Sequence, residues 1–244
     1  MTQSNSQVYL IMEIIIQDTW SEPDDEELIE YVRNNFILHT KTQEQILVLT
    51  CENIYKYKCI FADTKIIQKI LQDKYDVPIC YPDCFTTIYG RKISLMMSDD
   101  LTNISKPIFV KPYTNDKDFE SKIIKKDSDL ESIKLKTKVF VSEICNFVNE
   151  YRIFIADKKI FAIVNSGIYF MDKSRPMDIP QDFINKIIEL NIYDYIVVDI
   201  GFDTKTNKWL IVEVNPPISL DSYGLEIGKY VEFCIGFFNW IKNK

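Results

Sequence analysis

Val197-Val198-Asp199-Ile200-Gly201-Phe202, a polar turn over 203–208, and Trp209-Leu210-Ile211-Val212-Glu213-Val214-Asn215-Pro216-Pro217 form the stretch that decides the fold. Two apolar runs of strand length around a polar turn predict a hairpin. A carboxylate in the middle of one run and Glu-x-Asn at the end of the next are costly to bury unless paired or bound to a cation. Strand alternation puts Glu213 and Asn215 on one face. If the connecting loop has an odd number of residues, Asp203 faces Trp209, and Asp199 then lies opposite Glu213 with Cβ atoms about 5 Å apart. By the same alternation Val197, Ile211 and Trp209 share that face and imply that it is buried. Two carboxylates and an amide oxygen suit Mg2+ or Mn2+, ions that also hold phosphate oxygens. The competing reading is a set of polar side chains at a sheet edge facing water.

Working upstream, Ser142-Glu143-Ile144-Cys145-Asn146-Phe147-Val148-Asn149-Glu150-Tyr151-Arg152-Ile153-Phe154 sets Glu150 and Arg152 two apart, on one face of a strand. Only four of the 29 basic residues are arginines, so an arginine here points to a need for its planar, bidentate fork. A structural ion pair of Arg152 with Glu150 or a neighbour is the alternative. Lys111 ends the apolar run Phe109-Val110-Lys111-Pro112, where a lysine snorkelling to the surface is the commoner explanation.

The whole chain excludes several other chemistries. Its 244 residues, 46% hydrophobic and 27% charged, suffice for one large domain or two small lobes with a real core. A net charge of −7 disfavours nucleic acid and anionic lipid as partners. Residues 1–7 lack lysine and arginine, and the apolar run 8–16 is broken by Glu13, so the amino end reads as neither signal peptide nor membrane span. The six cysteines read as reduced thiols of a cytoplasmic protein. Cys80 and Cys84 have no second pair with which to build a zinc site. The six glycines, at 90, 167, 201, 224, 228 and 236, write neither a Walker loop nor a dinucleotide fingerprint. The single histidine, His39, sits in a context that does not support a triad.

The pattern predicts a strand over 8–16, a helix from the Ser21-Glu22-Pro23-Asp24 cap to about Phe36, and a strand over 45–50 (QILVLT). A helix capped by Asp63 follows, running to Leu71. This alternation reads as a small α/β domain over 1–85 with a partly parallel sheet. After the prolines at 78 and 82 come a short segment at Gly90-Arg91-Lys92, a strand over 107–112 and a polar loop over 113–131. Strands over 138–144, 151–156, 159–166, 195–202 and 209–214, with helices over 180–190 and 225–242, then predict an α+β region with largely antiparallel sheets over 86–244.

These segments resemble the ATP-grasp superfamily, and more closely its viral and phage-associated clade marked by two arginines and a lysine. The likeness covers roughly 90–225, and the Asp…Glu-x-Asn-Pro pattern is its most specific part. It implies an ATP-grasp fold, with lobes over about 86–141 and 142–244 gripping ATP, preceded by a small Rossmann-like domain over 1–85. In that family a strand lysine such as Lys111 contacts the α- and β-phosphates. The segment Ser142, Glu143, Ile144, Cys145 and Asn146 would hold adenine, and Glu150 the ribose hydroxyls. Asp199, Glu213 and Asn215 match the ligands of the paired Mg2+ ions. Arg91 and Arg152 match the clade's two arginines, expected on phosphate or the acceptor carboxylate, with Lys92 and Lys117 as further phosphate candidates. The family commonly covers the triphosphate with a glycine-containing loop, whereas residues 115–121 contain no glycine.

The resemblance implies an ATP-dependent carboxylate–amine ligase working through an acyl phosphate. Its substrates would be small-molecule, amino-acid or peptide carboxylates and amines, with a protein acceptor also open, in the cytoplasm or, for a viral protein, the host's cytoplasm. The alternative is an ATP-binding assembly factor, a degenerate relative without ligase turnover.

Overall fold

The computed structural model describes residues 12–18, 25–49, 56–71, 80–113, 119–168, 177–217 and 220–243. The chain forms two compact units, Met1–Tyr75 with Ile227–Lys244, and Asp76–Glu226.

The first unit alternates β1 (Glu13–Gln17), α1 (Asp25–Asn35), β2 (Ile37–Lys41), α2 (Gln43–Leu47), β3 (Cys59–Phe61) and α3 (Thr64–Leu71). Its strands are parallel in the order β2-β1-β3. Ile14, Ile15 and Ile16 are all buried, as expected of a central parallel strand covered on both faces. Leu28 and Val32, one turn apart on α1, are buried too. The final helix, Ile227–Lys242, belongs to this unit and buries Tyr230, Phe233, Cys234, Phe237 and Phe238. Residues 8–11 and the 21–24 cap lie outside the described residues.

The strand expected over 45–50 is not formed there. Thr42 opens a helix instead: its hydroxyl accepts from the Gln45 N–H at 3.3 Å, and the Gln45 side chain accepts from the Thr42 N–H at 3.0 Å. A reciprocal cap of this kind fixes the first turn, and only Ile46 of α2 is buried. The second strand is β2, directly after α1, and the three-residue β3 carried too little pattern to announce itself.

The second unit holds two antiparallel sheets. One, ordered β4-β7-β5-β6, is built from β4 (Ile93–Met97), β5 (Ile108–Pro112), β6 (Lys122–Ile124) and β7 (Lys138–Ser142). Val110, Ile124, Val139 and Val141 pack under it with Leu101 and Ile133. β6 and a short 3-10 turn, Asp127–Leu130, occupy part of the stretch expected to be loop. The other sheet, ordered β11-β10-β8-β9, is built from β8 (Phe147–Ala156), β9 (Lys159–Asn165), β10 (Tyr195–Asp203) and β11 (Lys208–Asn215). One of its faces packs Ile153, Ile155, Ile196, Val198, Ile200, Ile211 and Val214 against Ile184 and Ile187 of α4 (Gln181–Leu190). Residues 143–146 run from β7 to β8 and so join the two sheets. No helix among the described residues is long and apolar enough to cross a membrane.

Candidate active site

Asp199, in the middle of β10, has Arg152 of β8 as its neighbour on one side and Glu213 of β11 on the other. The register that brings Glu213 there differs from the one predicted. Asp203 pairs with Lys208 and Phe202 with Trp209, which on regular pairing would place Val212 opposite Asp199. A bulge intervenes: Ile200 pairs with Ile211, the next pair is Asp199 with Glu213, and Val212 is the extra residue. Each residue of slip exchanges the two faces of a strand. Trp209 and Ile211 therefore lie on the core face with Val198 and Ile200, not beside the carboxylates, while Glu213 and Asn215 share the face of Asp199.

On that face the polar groups form a continuous chain. Arg152 donates from Nε to Asp199 Oδ1 and from Nη2 to Oδ2, each at 2.8 Å. Asn215 Nδ2 donates to Asp199 Oδ2 at 2.9 Å and to Glu213 Oε1 at 3.2 Å. The other Glu213 oxygen pairs with Nζ of Lys111, which comes from β5 of the opposite sheet. Arg152 and Asp199 are 4% and 7% exposed, so the pair sits in low dielectric. Burial alone would lower the guanidinium pKa, but the charge and hydrogen bonds of Asp199 outweigh it and raise the value. Arg152 Nη1 donates to the Asp221 carbonyl at 3.1 Å, and the Tyr223 ring lies 3.8 Å from the guanidinium carbon. Tyr223 has φ 46° and the following Gly224 φ 85°, a left-handed turn that aims the ring. Burial pushes the Tyr223 phenol up against the opposing pull of Arg152.

Arg152 is thus an ion-paired residue of the carboxylate cluster, and its fork faces Asp199, not open space for an acceptor. Arg91 does not join the cluster. Its Nη1 donates to the Ile211 carbonyl at 2.7 Å and the Tyr89 carbonyl at 3.2 Å, and its Nη2 to the Val212 carbonyl at 2.9 Å. The rings of Tyr81 and Phe147 lie 5.6 and 5.4 Å from its guanidinium carbon. With its fork engaged by backbone oxygens, Arg91 does not match the expected phosphate or acceptor contact.

Of the segment expected to hold adenine, Ser142 is buried and donates its hydroxyl to the Glu143 carbonyl at 3.0 Å. The Glu143 carboxylate is exposed and accepts from the Lys92 N–H at 3.3 Å. Ile144 and Cys145 are half-buried, and burial raises the Cys145 thiol pKa. The Asn146 N–H donates to Asp203 Oδ1 at 2.8 Å and its carbonyl accepts from the Thr204 N–H at 3.0 Å, so its backbone is already engaged. Glu150 follows Asn149, which has φ 52°, at an irregularity in the β8–β10 pairing. Lys117 lies outside the described residues.

Sequence reasoning missed Tyr223, Asp221 and the buried turn residue Asp203. The first two carried no signal, whereas Asp203-x-x-Thr206 is a readable turn cap. Among the described residues no cluster of three or more His, Cys, Asp or Glu side chains could hold a metal ion. The group at hand has two carboxylates and one amide. That donor set fits a hard divalent cation that takes its remaining ligands from phosphate and water.

A family model described as an ATP-grasp domain, family 2 of its clade, matches residues 88–233. Among solved structures, D-alanine–D-alanine ligase from Bacillus anthracis complexed with ATP is similar at TM-score 0.56 and 15% identity, covering 96% of this chain and 99% of that one. A RimK domain protein ATP-grasp from Sphaerobacter thermophilus is similar at TM-score 0.52 and 12% identity, covering 93% and 98%. The ATP-grasp ligase PsnB complexed with minimal precursor is similar at TM-score 0.50 and 10% identity, covering 91% and 98%. At these identities the likeness concerns the fold. No curated protein matches the chain.

Proposed function

From the premise that the chain belongs to this family of ATP-grasp domains, we propose that it is an ATP-dependent carboxylate–amine ligase. The single observation that carries the reading is the convergence of Asp199, Glu213 and Asn215 on one face, with Lys111 reaching them from the opposite sheet. The β4–β7 sheet then acts as the first lobe and the β8–β11 sheet as the second, with the parallel β1–β3 unit as the small preceding domain. The narrower kinship, with viral and phage-associated members, rests on Arg91, Arg152 and Lys111 alone. The cytoplasm as its compartment rests on the cysteines, none of which is in a disulfide among the described residues.

In this reading a carboxylate oxygen of the acceptor attacks the γ-phosphorus of ATP. The bond from that phosphorus to the bridging oxygen breaks, and ADP leaves. The acyl phosphate is then attacked at its carbonyl carbon by an amine, the carbon–oxygen bond to phosphate breaks, and the amine gives up a proton to solvent. A divalent cation held by Asp199, Glu213 and Asn215 supplies charge neutralisation for the phosphates. Lys111 adds a point charge that can serve phosphate oxygens as it now serves Glu213. Arg152 holds both oxygens of Asp199 in a fixed plane, which orients that carboxylate. The backbone of residues 143–145 is the candidate adenine contact, since Asn146 is engaged elsewhere. Amino acids and peptides are the proposed substrates, in line with the precursor named in the PsnB complex.

The rival reading, an ATP-binding assembly factor without turnover, is favoured by the absence of glycine from 115–121, because close backbone approach to phosphate is easier at glycine. ADP release, screened over amino acids and peptides with ATP and Mg2+, tests the proposal. Release stimulated jointly by a carboxylate and an amine supports ligation. Nucleotide binding with release that no substrate stimulates would support the rival.

A further inference from the structure

β11 has to satisfy two demands that a regular strand cannot meet together. Trp209 and Ile211 belong to the apolar core, while Glu213 and Asn215 belong to the polar face, and all four have the same parity. The extra residue at Val212 resolves the conflict by exchanging the faces between Ile211 and Glu213. A bulge disrupts the ladder locally and leaves backbone groups to be satisfied from outside. β11 is also the edge strand of its sheet, so no neighbouring strand can do this on its outer side.

The groups that meet that outer edge come from residues 80–91. The Cys80 carbonyl accepts from the Val214 N–H at 2.9 Å. Gly90, at φ 63°, lies so close to β11 that a Cβ there would come within 2.1 Å of Leu210 Cδ2. This approach brings Arg91 against the bulge, where its two terminal nitrogens take the carbonyls of Ile211 and Val212, the residue before the slip and the slipped residue itself. A planar fork with fixed donor spacing can hold two successive carbonyls at once, which a lysine's point charge cannot.

We infer that Arg91 is a positioning residue: it pins the β11 bulge and thereby sets Glu213 and Asn215 opposite Asp199 for the cation, without touching nucleotide itself. The inference rests on the ligase site proposed above and deepens it by giving one of the two arginines a role through the backbone.

The test compares the wild-type chain with Arg91→Gln and Arg91→Lys. The first readout is the Mn2+ concentration that half-saturates the protein at fixed ADP, followed beside ADP binding in EDTA. The inference expects Mn2+ to weaken at least about tenfold in Arg91→Gln, the scale of lost outer-shell support at metal sites, and less in Arg91→Lys. ADP binding without metal stays within about twofold of wild type. Weakened metal-free ADP binding with unchanged Mn2+ response would make Arg91 a phosphate contact and overturn the inference. A lowered melting temperature with unchanged Mn2+ response would make it a plain structural residue and overturn it equally. The second readout, amide exchange over 211–215, needs no ligand: it should quicken in Arg91→Gln relative to 195–198, and unchanged protection would refute the pin. A wild-type chain that takes up no Mn2+ with ADP would sink the ligase site separately, leaving exchange to judge the pin.

Discussion

Arg152 grips Asp199 with two parallel hydrogen bonds of 2.8 Å while both residues are more than nine-tenths buried, and this pair is the structural centre of the site. Removing one partner of such a pair leaves an uncompensated charge in low dielectric. Arg152→Met is therefore expected to cost about 3–5 kcal/mol of stability, read from denaturant unfolding. A loss under about 1 kcal/mol would mean that Asp199 finds solvent or another cation, and that the pair does not fix its plane.

The Lys111–Glu213 pair contrasts with it, because its side chains keep 18% and 25% of their exposure. Water reaches it, so Lys111→Met should cost about 1 kcal/mol or less in unfolding experiments. Turnover, by contrast, should fall by about two orders of magnitude if the lysine stabilises the transferring phosphoryl group. A variant as active as wild type would remove Lys111 from the phosphate site.

Asp203 gives the second unit a pH dependence. Burial pushes its pKa up, but the Thr206 hydroxyl and the N–H groups of Asn146, Lys205 and Thr206 together hold it below the ordinary value. A carboxylate depressed in the folded state contributes stability above its unfolded pKa of about 3.9, and that contribution disappears as the pH falls through the lower folded value. Asp203→Asn should therefore cost at least about 1 kcal/mol at pH 7. The gap from wild type should narrow between about pH 4 and pH 2, as melting curves across that range will register. A gap independent of pH would mean that neutral hydrogen bonds suffice. Because Asp203 anchors Asn146, the same variant should also loosen the 143–146 connection between the sheets.

The carboxylates of this site were legible because their placement is costly: acidic residues inside apolar strands demand a partner, and Asp199 and Glu213 announced themselves on that ground. Their exact apposition was not. Counting by twos assumes an unbroken ladder, whereas the observed turn pairs Asp203 with Lys208 and a bulge at Val212 restores what the turn takes away. Arg91 was noticed for its rarity among lysines, yet its partners are backbone carbonyls 120 and 121 residues away, which leave no mark on side-chain pattern. At 45–50 an apolar run too short to separate strand from helix was decided by the Thr42–Gln45 cap just before it. The strand-rich second unit read more easily, since each hairpin repeats an alternation that its partner corroborates.

The most direct test of the account is calorimetric titration of ATP into the wild-type protein and into Glu213→Gln, with Mg2+ and with EDTA. Glutamine keeps the shape and hydrogen-bonding capacity of the side chain while removing its charge. The account predicts that wild-type ATP affinity rises with Mg2+ by at least about tenfold and that Glu213→Gln loses most of that gain while its affinity in EDTA is unchanged. Equal metal dependence in the two proteins, or ATP binding indifferent to Mg2+ in the wild type, would contradict it.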